Sequence, residues 1–228
     1  MEKKMSEQDF LKTQLFGKLT ASATHEFQNI LAIIKESAGL MEDVLTLTPM
    51  ENAELLEQRL GMPLATMKKQ VARGVALVSC LNGFAHSTDH ARQKVDVEVL
   101  VKRLVSLSRR LAASTGVELA FEGEQPTLYL NTDEVQLQVC LYYALESLFL
   151  ALPARSLIIL TLQGTSSLSA VTLSASHPDQ PIPHDLSQVI CQGKSWEALQ
   201  KVGQVIQVRP EVNETGVVLF MEHGDSAT

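Results

Sequence analysis

From Ala23 onward the less polar positions recur at Ala23, Phe27, Ile30, Ile34, Ser37, Met41 and Val44, in alternating steps of four and three. That spacing is a coiled-coil-like seam. It predicts one long amphipathic helix from about Gln8 to about Leu47, ending before Pro49 because the residue preceding a proline is pushed away from helical angles. Residues 51–60 are helix-like in turn, and Gly61 and Pro63 are expected to break or kink the chain before a second main helix. There Leu64, Met67, Val71, Val75, Val78, Leu81 and Phe84 or Ala85 again stand at three and four spacing. A lone hairpin of two such helices leaves much of each stripe wet, although each Leu, Ile or Phe contributes about 1.5–3 kcal/mol once buried. The pattern therefore predicts a homodimer built on a four-helix bundle. The alternative is a hairpin packed on the rest of its own chain.

The polar stretch Ser87–Lys94 reads as a connection, after which the pattern becomes mixed. Val97, Leu100, Val101, Leu104, Leu107 and Leu111 mark a helix. The runs VELAFEG and TLYLN follow as short strands separated by Gly123 and Pro126. The strongly apolar segment 132–152 reads as a helix with Thr132 as N-cap and Asp133 and Glu134 in its first turn. Two strand-like runs, SLIILTLQ and SLSAVTLSAS, precede a helix-like SWEALQKV, and GQVIQVRP and GVVLFMEH are again strand-like. Strands with helices on one face give an α/β sandwich. The organisation expected is α+β and multidomain: a helical hairpin over 1–88, a linker over 89–94 and an α/β sandwich over 95–228.

Composition narrows the class. At 228 residues the chain is long enough for a helical element and one ordinary domain. Its net charge of −7 gives a nucleic-acid partner little electrostatic help. Cys80, Cys140 and Cys191 are odd in number, widely spaced and set among apolar residues, which favours a reducing compartment over a disulfide or metal framework. The opening MEKKMSEQDF lacks the apolar core of a signal peptide, and no apolar run approaches the roughly 18 residues of a membrane span. The expectation is a cytoplasmic protein with no nucleic-acid and no membrane partner.

Candidate chemistry centres on His25, two positions off the seam and facing solvent, with Asn29 one turn further on the same side. The adjacent Glu26 carboxylate suits accepting the proton of one ring nitrogen, leaving the other as a lone-pair nucleophile. The stretch ASATHEFQNILAIIKESAGLMEDVL, residues 21–45, resembles the phosphoacceptor helix of two-component histidine kinases, with His-Glu-x-x-Asn followed by Leu31 and an isoleucine pair. The resemblance implies that His25 is phosphorylated, that Glu26 acts as base, and that Asn29 assists transfer to, or hydrolysis at, a response regulator. Ile30 stands where that family usually carries a proline.

Residues 95–223 resemble the ATP-binding domain of the same family, most closely at DEVQLQVCLYYALESL, which looks like its metal-binding helix. The departures matter more. Tyr143 and Ser147 occupy the positions of the asparagines that hold Mg²⁺ against the phosphates, and Glu146 beside them is a lone carboxylate. The adenine motif Asp-x-Gly-x-Gly aligns with HPDQPIP. His177 replaces the aspartate, and Asp179 and Pro181 replace glycines whose backbone must approach the ligand closely. No Gly-x-Gly lid follows. Gly193-Lys194-Ser195 lacks the upstream glycine of a P-loop. The resemblance thus implies a degenerate nucleotide site with no metal and no cofactor held by this chain.

The function expected is a histidine phosphotransferase in a phosphorelay, of sporulation or cell-cycle type. It shuttles a phosphoryl group through His25 between response-regulator receiver domains that bring their own Mg²⁺. Two alternatives stay open: a divergent but active ATP-dependent kinase, and a non-catalytic dimeric scaffold that binds a response regulator. Of the other histidines, His86 and His90 are read as ending the second helix, His177 and His184 as loop residues, and His223 as part of a polar tail. Trp196 is read as the anchor of a short helix.

Overall fold

The computed structural model describes residues 6–47, 53–123, 128–164 and 168–222. Pro49, Pro126 and His223 lie outside these residues. The first helix, α1, runs Glu7–Leu47 as its seam predicts, with Ala23, Ile30 and Ser37 buried and Phe27, Ile34, Met41 and Val44 half-buried. Its first half carries a second set that the seam does not include. Leu11, Leu15, Leu19 and Ser22 are buried at steps of four, four and three.

The next helix, α2, spans Ala53–His86 without the expected break, so that Gly61 and Pro63 lie inside it. Proline removes one amide donor but supplies a compatible φ, and a helix of 34 residues held along its length by α1 tolerates that loss. The expected apolar stripe of α2 divides. Leu64, Val71, Val75 and Val78 face solvent, between 42 % and 66 % exposed, whereas Gln70, Leu77 and Phe84 are buried. The contact with α1 therefore uses the register 70, 74, 77, 81, 84, in which a glutamine and a glycine hide the apolar periodicity.

After α2 the chain turns at Ser87–Asp89 and pairs at once. Strand β1, Gln93–Asp96, lies antiparallel to β3, Tyr129–Thr132. Gln93 and Lys94, expected in the linker, are already in this ribbon. Helix α3, Val97–Ser114, follows directly, capped by Asp96, whose side chain accepts from Val99 N. Strand β2, Glu118–Phe121, and helix α4, Glu134–Ala151, come next. The N-cap of α4 is Asp133, accepting from Gln136 N at 2.9 Å; Thr132, expected there, closes β3 instead. The carboxylate of Asp133 both caps and complements the helix dipole.

The remaining elements are β4 (Leu157–Gly164), β5 (Leu168–Ser176), α5 (Leu186–Cys191), α6 (Lys194–Ile206), β6 (Val208–Val212) and β7 (Gly216–Glu222). The expected strand GQVIQVRP is half wrong. Gly203–Ile206 finish α6, Gln207 adopts a left-handed conformation with φ 58°, and the strand begins at Val208. Gly203 is required there because a Cβ would stand 2.5 Å from Val208 O. The main sheet has the order β2-β4-β5-β7-β6, parallel between β2 and β4 and antiparallel elsewhere. One face, with Ile158, Leu160, Leu162, Val171, Leu173, Val217, Leu219 and Met221, is buried. It joins α3, α4 and α6 in a hydrophobic core that also takes in Leu11, Leu15 and Leu19 of α1.

Trp196, 6 % exposed, anchors α6 as its sequence context predicts. Nearly every residue of α4 is buried, as an all-round apolar helix requires. Among the described residues no helix is long and apolar enough to cross a membrane.

Candidate functional site

His25 sits in the middle of α1 and is exposed, as is Asn29 one turn later. Neither side chain forms a hydrogen bond with another described residue. A shallow open groove leads to His25 along the same helix, lined by Thr13, Phe16, Gly17, Thr20, Ala21 and Thr24. Phe16 is fixed from behind by Phe84 of α2, ring centroids 4.3 Å apart.

No hydrogen bond joins Glu26 to His25; the carboxylate is turned toward α2, where it forms an ion pair with Arg73. Its carboxylate is thus withdrawn from the imidazole it was expected to orient. The sequence brings His25 and Asn29 to one surface and places Glu26 beneath it. Arg73, 47 positions further along the chain, gave no local signal of this pairing.

The second predicted cluster separates into two. Tyr143 Oη donates to Gln14 Oε1 of α1 at 3.2 Å, and Ser147 Oγ donates to the Tyr143 carbonyl at 2.7 Å. Glu146 is the centre of a polar knot. It pairs with Lys18 of α1 and accepts from Tyr142 Oη at 3.0 Å and from Ser195 Oγ, at the start of α6, at 2.8 Å. Lys12 of α1 adds a bond to Asp133 at 3.3 Å. Burial, reinforced by the Glu146 charge, pushes the Tyr143 phenol up to about 12 and raises that of Tyr142 as well. His177, Asp179 and Pro181 lie elsewhere, in the loop after β5. There Asp179 accepts from Arg155 at 2.6 Å and His177 Nε2 meets Ala154 O at 3.1 Å. No hydrogen bond or ion pair among the described residues joins the two clusters.

Of the remaining histidines, His86 closes α2 and pairs with Asp89 at 2.9 Å. Among the described residues no group of three or more His, Cys, Asp and Glu could hold a metal ion.

No family model and no curated protein matches the chain. Solved structures do. The catalytic domain of the histidine kinase ThkA superposes with a TM-score of 0.48 at 17 % identity, covering 59 % of this chain and 98 % of that one. ThkA in complex with the response regulator protein TrrA gives a TM-score of 0.45 at 17 % identity over 95 % of this chain and 64 % of that one. The Acinetobacter baumannii histidine kinase AdeS gives 0.45 at 11 % identity over 88 % and 98 %. The chain is a long helical hairpin followed by an α/β sheet domain, and its structural neighbours are histidine kinase catalytic domains and cytoplasmic segments.

Proposed function

We propose that this protein is a histidine phosphotransferase that accepts a phosphoryl group on His25 from the aspartyl phosphate of a response-regulator receiver domain and returns it to another. The observation that carries the reading is that the His25 imidazole, exposed and without a hydrogen-bond partner among the described residues, shares one open face of α1 with Asn29. An unprotonated ring nitrogen attacks phosphorus, the bond from phosphorus to the aspartyl oxygen breaks, and aspartate leaves as carboxylate. The other ring nitrogen, which faces solvent, sheds its proton to water. The receiver supplies Mg²⁺ and the acceptor, so this chain's contribution is mostly position.

This transfer uses no ATP. The residues present do not suit Mg²⁺·nucleotide: Glu146, the one carboxylate on the relevant face of α4, is committed to Lys18, Tyr142 and Ser195, and that face is covered by α1 and α6. A homodimer belongs to the same proposal. The exposed stripe Leu64, Val71, Val75 and Val78 on α2, with Leu31 on α1, is the apolar surface that a second hairpin would cover.

The test loads receiver domains with labelled phosphate from acetyl phosphate and mixes them with the purified chain. Acid-labile, base-stable label is expected on the chain and absent from His25→Ala, whose fold is unchanged. Label persisting in His25→Ala moves the site elsewhere. Mg²⁺·ATP is tested in parallel: saturation at a hundredfold excess over Kd would add about 2.7 kcal/mol of stability. Such a shift, with label on His25, overturns the phosphotransferase reading in favour of a kinase.

A further inference from the structure

The turn of α1 that carries His25 is held from both sides. Before it, Ser22 Oγ donates to Leu107 O of α3 at 3.2 Å. After it, Glu26 pairs with Arg73 of α2, with the Glu26 side chain 17 % exposed and that of Arg73 54 % exposed. Gly74, beside Arg73, faces Ile30 of α1, where a Cβ would stand 3.7 Å from Ile30 Cγ2, so the ion pair is rooted beside the helix contact. One turn earlier on α2 lies Gln70. It is 8 % exposed, and its Oε1 is buried without a hydrogen-bond partner among the described residues, as is Glu26 Oε1, the atom that faces Arg73.

Residues three apart on a helix are surface neighbours, about 5–6 Å between Cβ atoms. The Arg73 guanidinium carries five donors in a planar fork and so has a second acceptor on its own helix, the orphaned Gln70 oxygen. Glu26 has a second partner too, the ring N–H of His25 next to it. With Arg73 on Glu26, Gln70 Oε1 lacks a donor and the ring N–H has no acceptor on the protein among the described residues. With Arg73 on Gln70, both are satisfied.

On the reading of His25 as phosphoacceptor, we infer that Arg73 is a positioning residue for His25 that acts through Glu26. Paired with Glu26, it holds the carboxylate against α2; transferred to Gln70 Oε1, it frees Glu26 to accept the ring N–H. An accepted N–H fixes the tautomer and leaves the other ring nitrogen's lone pair directed outward for phosphorus. Arg73 thereby sets the fraction of molecules in which His25 is ready to react.

The experiment is ¹⁵N NMR of the His25 imidazole in the full chain, with phosphorylation by phospho-receiver as the second readout. Arg73→Gln removes the cation and is expected to shift the His25 tautomer ratio toward one form and to raise the transfer rate about tenfold, a fraction of the roughly 10²–10⁴-fold that a positioned acid–base group contributes. Glu26→Gln lowers the rate, and the double variant Arg73→Gln/Glu26→Gln returns both the tautomer ratio and the rate to those of Glu26→Gln alone. Gln70→Leu removes the waiting acceptor and is expected to lower the rate with Glu26 intact. An Arg73→Gln variant with an unchanged tautomer ratio overturns the inference, as does an effect of Arg73→Gln that persists undiminished without Glu26. A chain that takes no phosphate on His25 at all refutes the phosphoacceptor reading instead, while the tautomer comparison still decides whether Arg73 controls the ring through Glu26.

Discussion

At the scale of single residues, the fate of a side chain here depends on whether its partner is near in sequence. The exposure of His25 and Asn29 was legible because helical periodicity alone decides which positions leave the seam. The direction of Glu26 and the engagement of Glu146 were not, because Arg73 and Lys18 lie 47 and 128 positions away and nothing local marks them. The Glu146 knot is expected to be structural. Glu146→Ala strands the hydroxyls of Tyr142 and Ser195 in a half-buried site and should cost about 2–3 kcal/mol in a denaturant titration. Lys18→Met should cost less, because the lysine end of the pair is the more exposed.

The same knot sets an alkaline limit. Tyr143 and Tyr142 hold their protons more tightly folded than unfolded, where phenols ionise near pH 10. Their contribution is fully present below about pH 10 and is lost as pH rises through the folded value of about 12 for Tyr143. Stability should therefore fall across that window, with phenolate absorbance of these two tyrosines appearing together with unfolding. In Tyr142→Phe/Tyr143→Phe the fall should be shallower.

At the scale of elements, α1 changes partner along its length. Its seam from Ala23 was read correctly, but the preceding Leu11, Leu15 and Leu19 were passed over because steps of four do not extend a heptad pattern. Those steps rotate the buried stripe around the helix, toward α3 and α4 in the first half and toward α2 in the second. Leu19→Ala should cost about 2–5 kcal/mol and lower the melting of hairpin and sheet together, since Leu19 belongs to the shared core. Separate melting of the two parts in that variant would contradict this. Pro63 makes the converse case. It lies eleven positions into α2, where alanine restores an amide donor, so Pro63→Ala should stabilise by about 2 kcal/mol after the looser unfolded chain is allowed for. The stripe of α2 was misassigned because its inward register is carried partly by Gln70 and Gly74, residues that carry no hydrophobic signal.

At the scale of the whole molecule, the α/β sandwich was legible in its strands and its two large helices, since alternation and all-round apolarity are strong local signals. The way hairpin and sandwich share one core was not, because composition does not report which surfaces meet. The outward stripe of α2 remains available for a second copy, and the proposed dimer is tested by Val75→Glu. Light scattering is expected to give a dimer for the unsubstituted chain and a monomer of unaltered helicity for the variant. A monomer in both would remove the bundle.

The step-of-four stripe on α1 also bears on how such a protein can be rearranged in engineering or descent. Because Leu11, Leu15 and Leu19 complete the core of the sandwich while His25 lies on the same unbroken rod, a chimaera joined between α2 and β1 would exchange not an independent module but one wall of the other half's interior. Grafting a foreign hairpin there would succeed only if it brought three leucines at that four-residue cadence, together with the basic groups that meet Asp133 and Glu146.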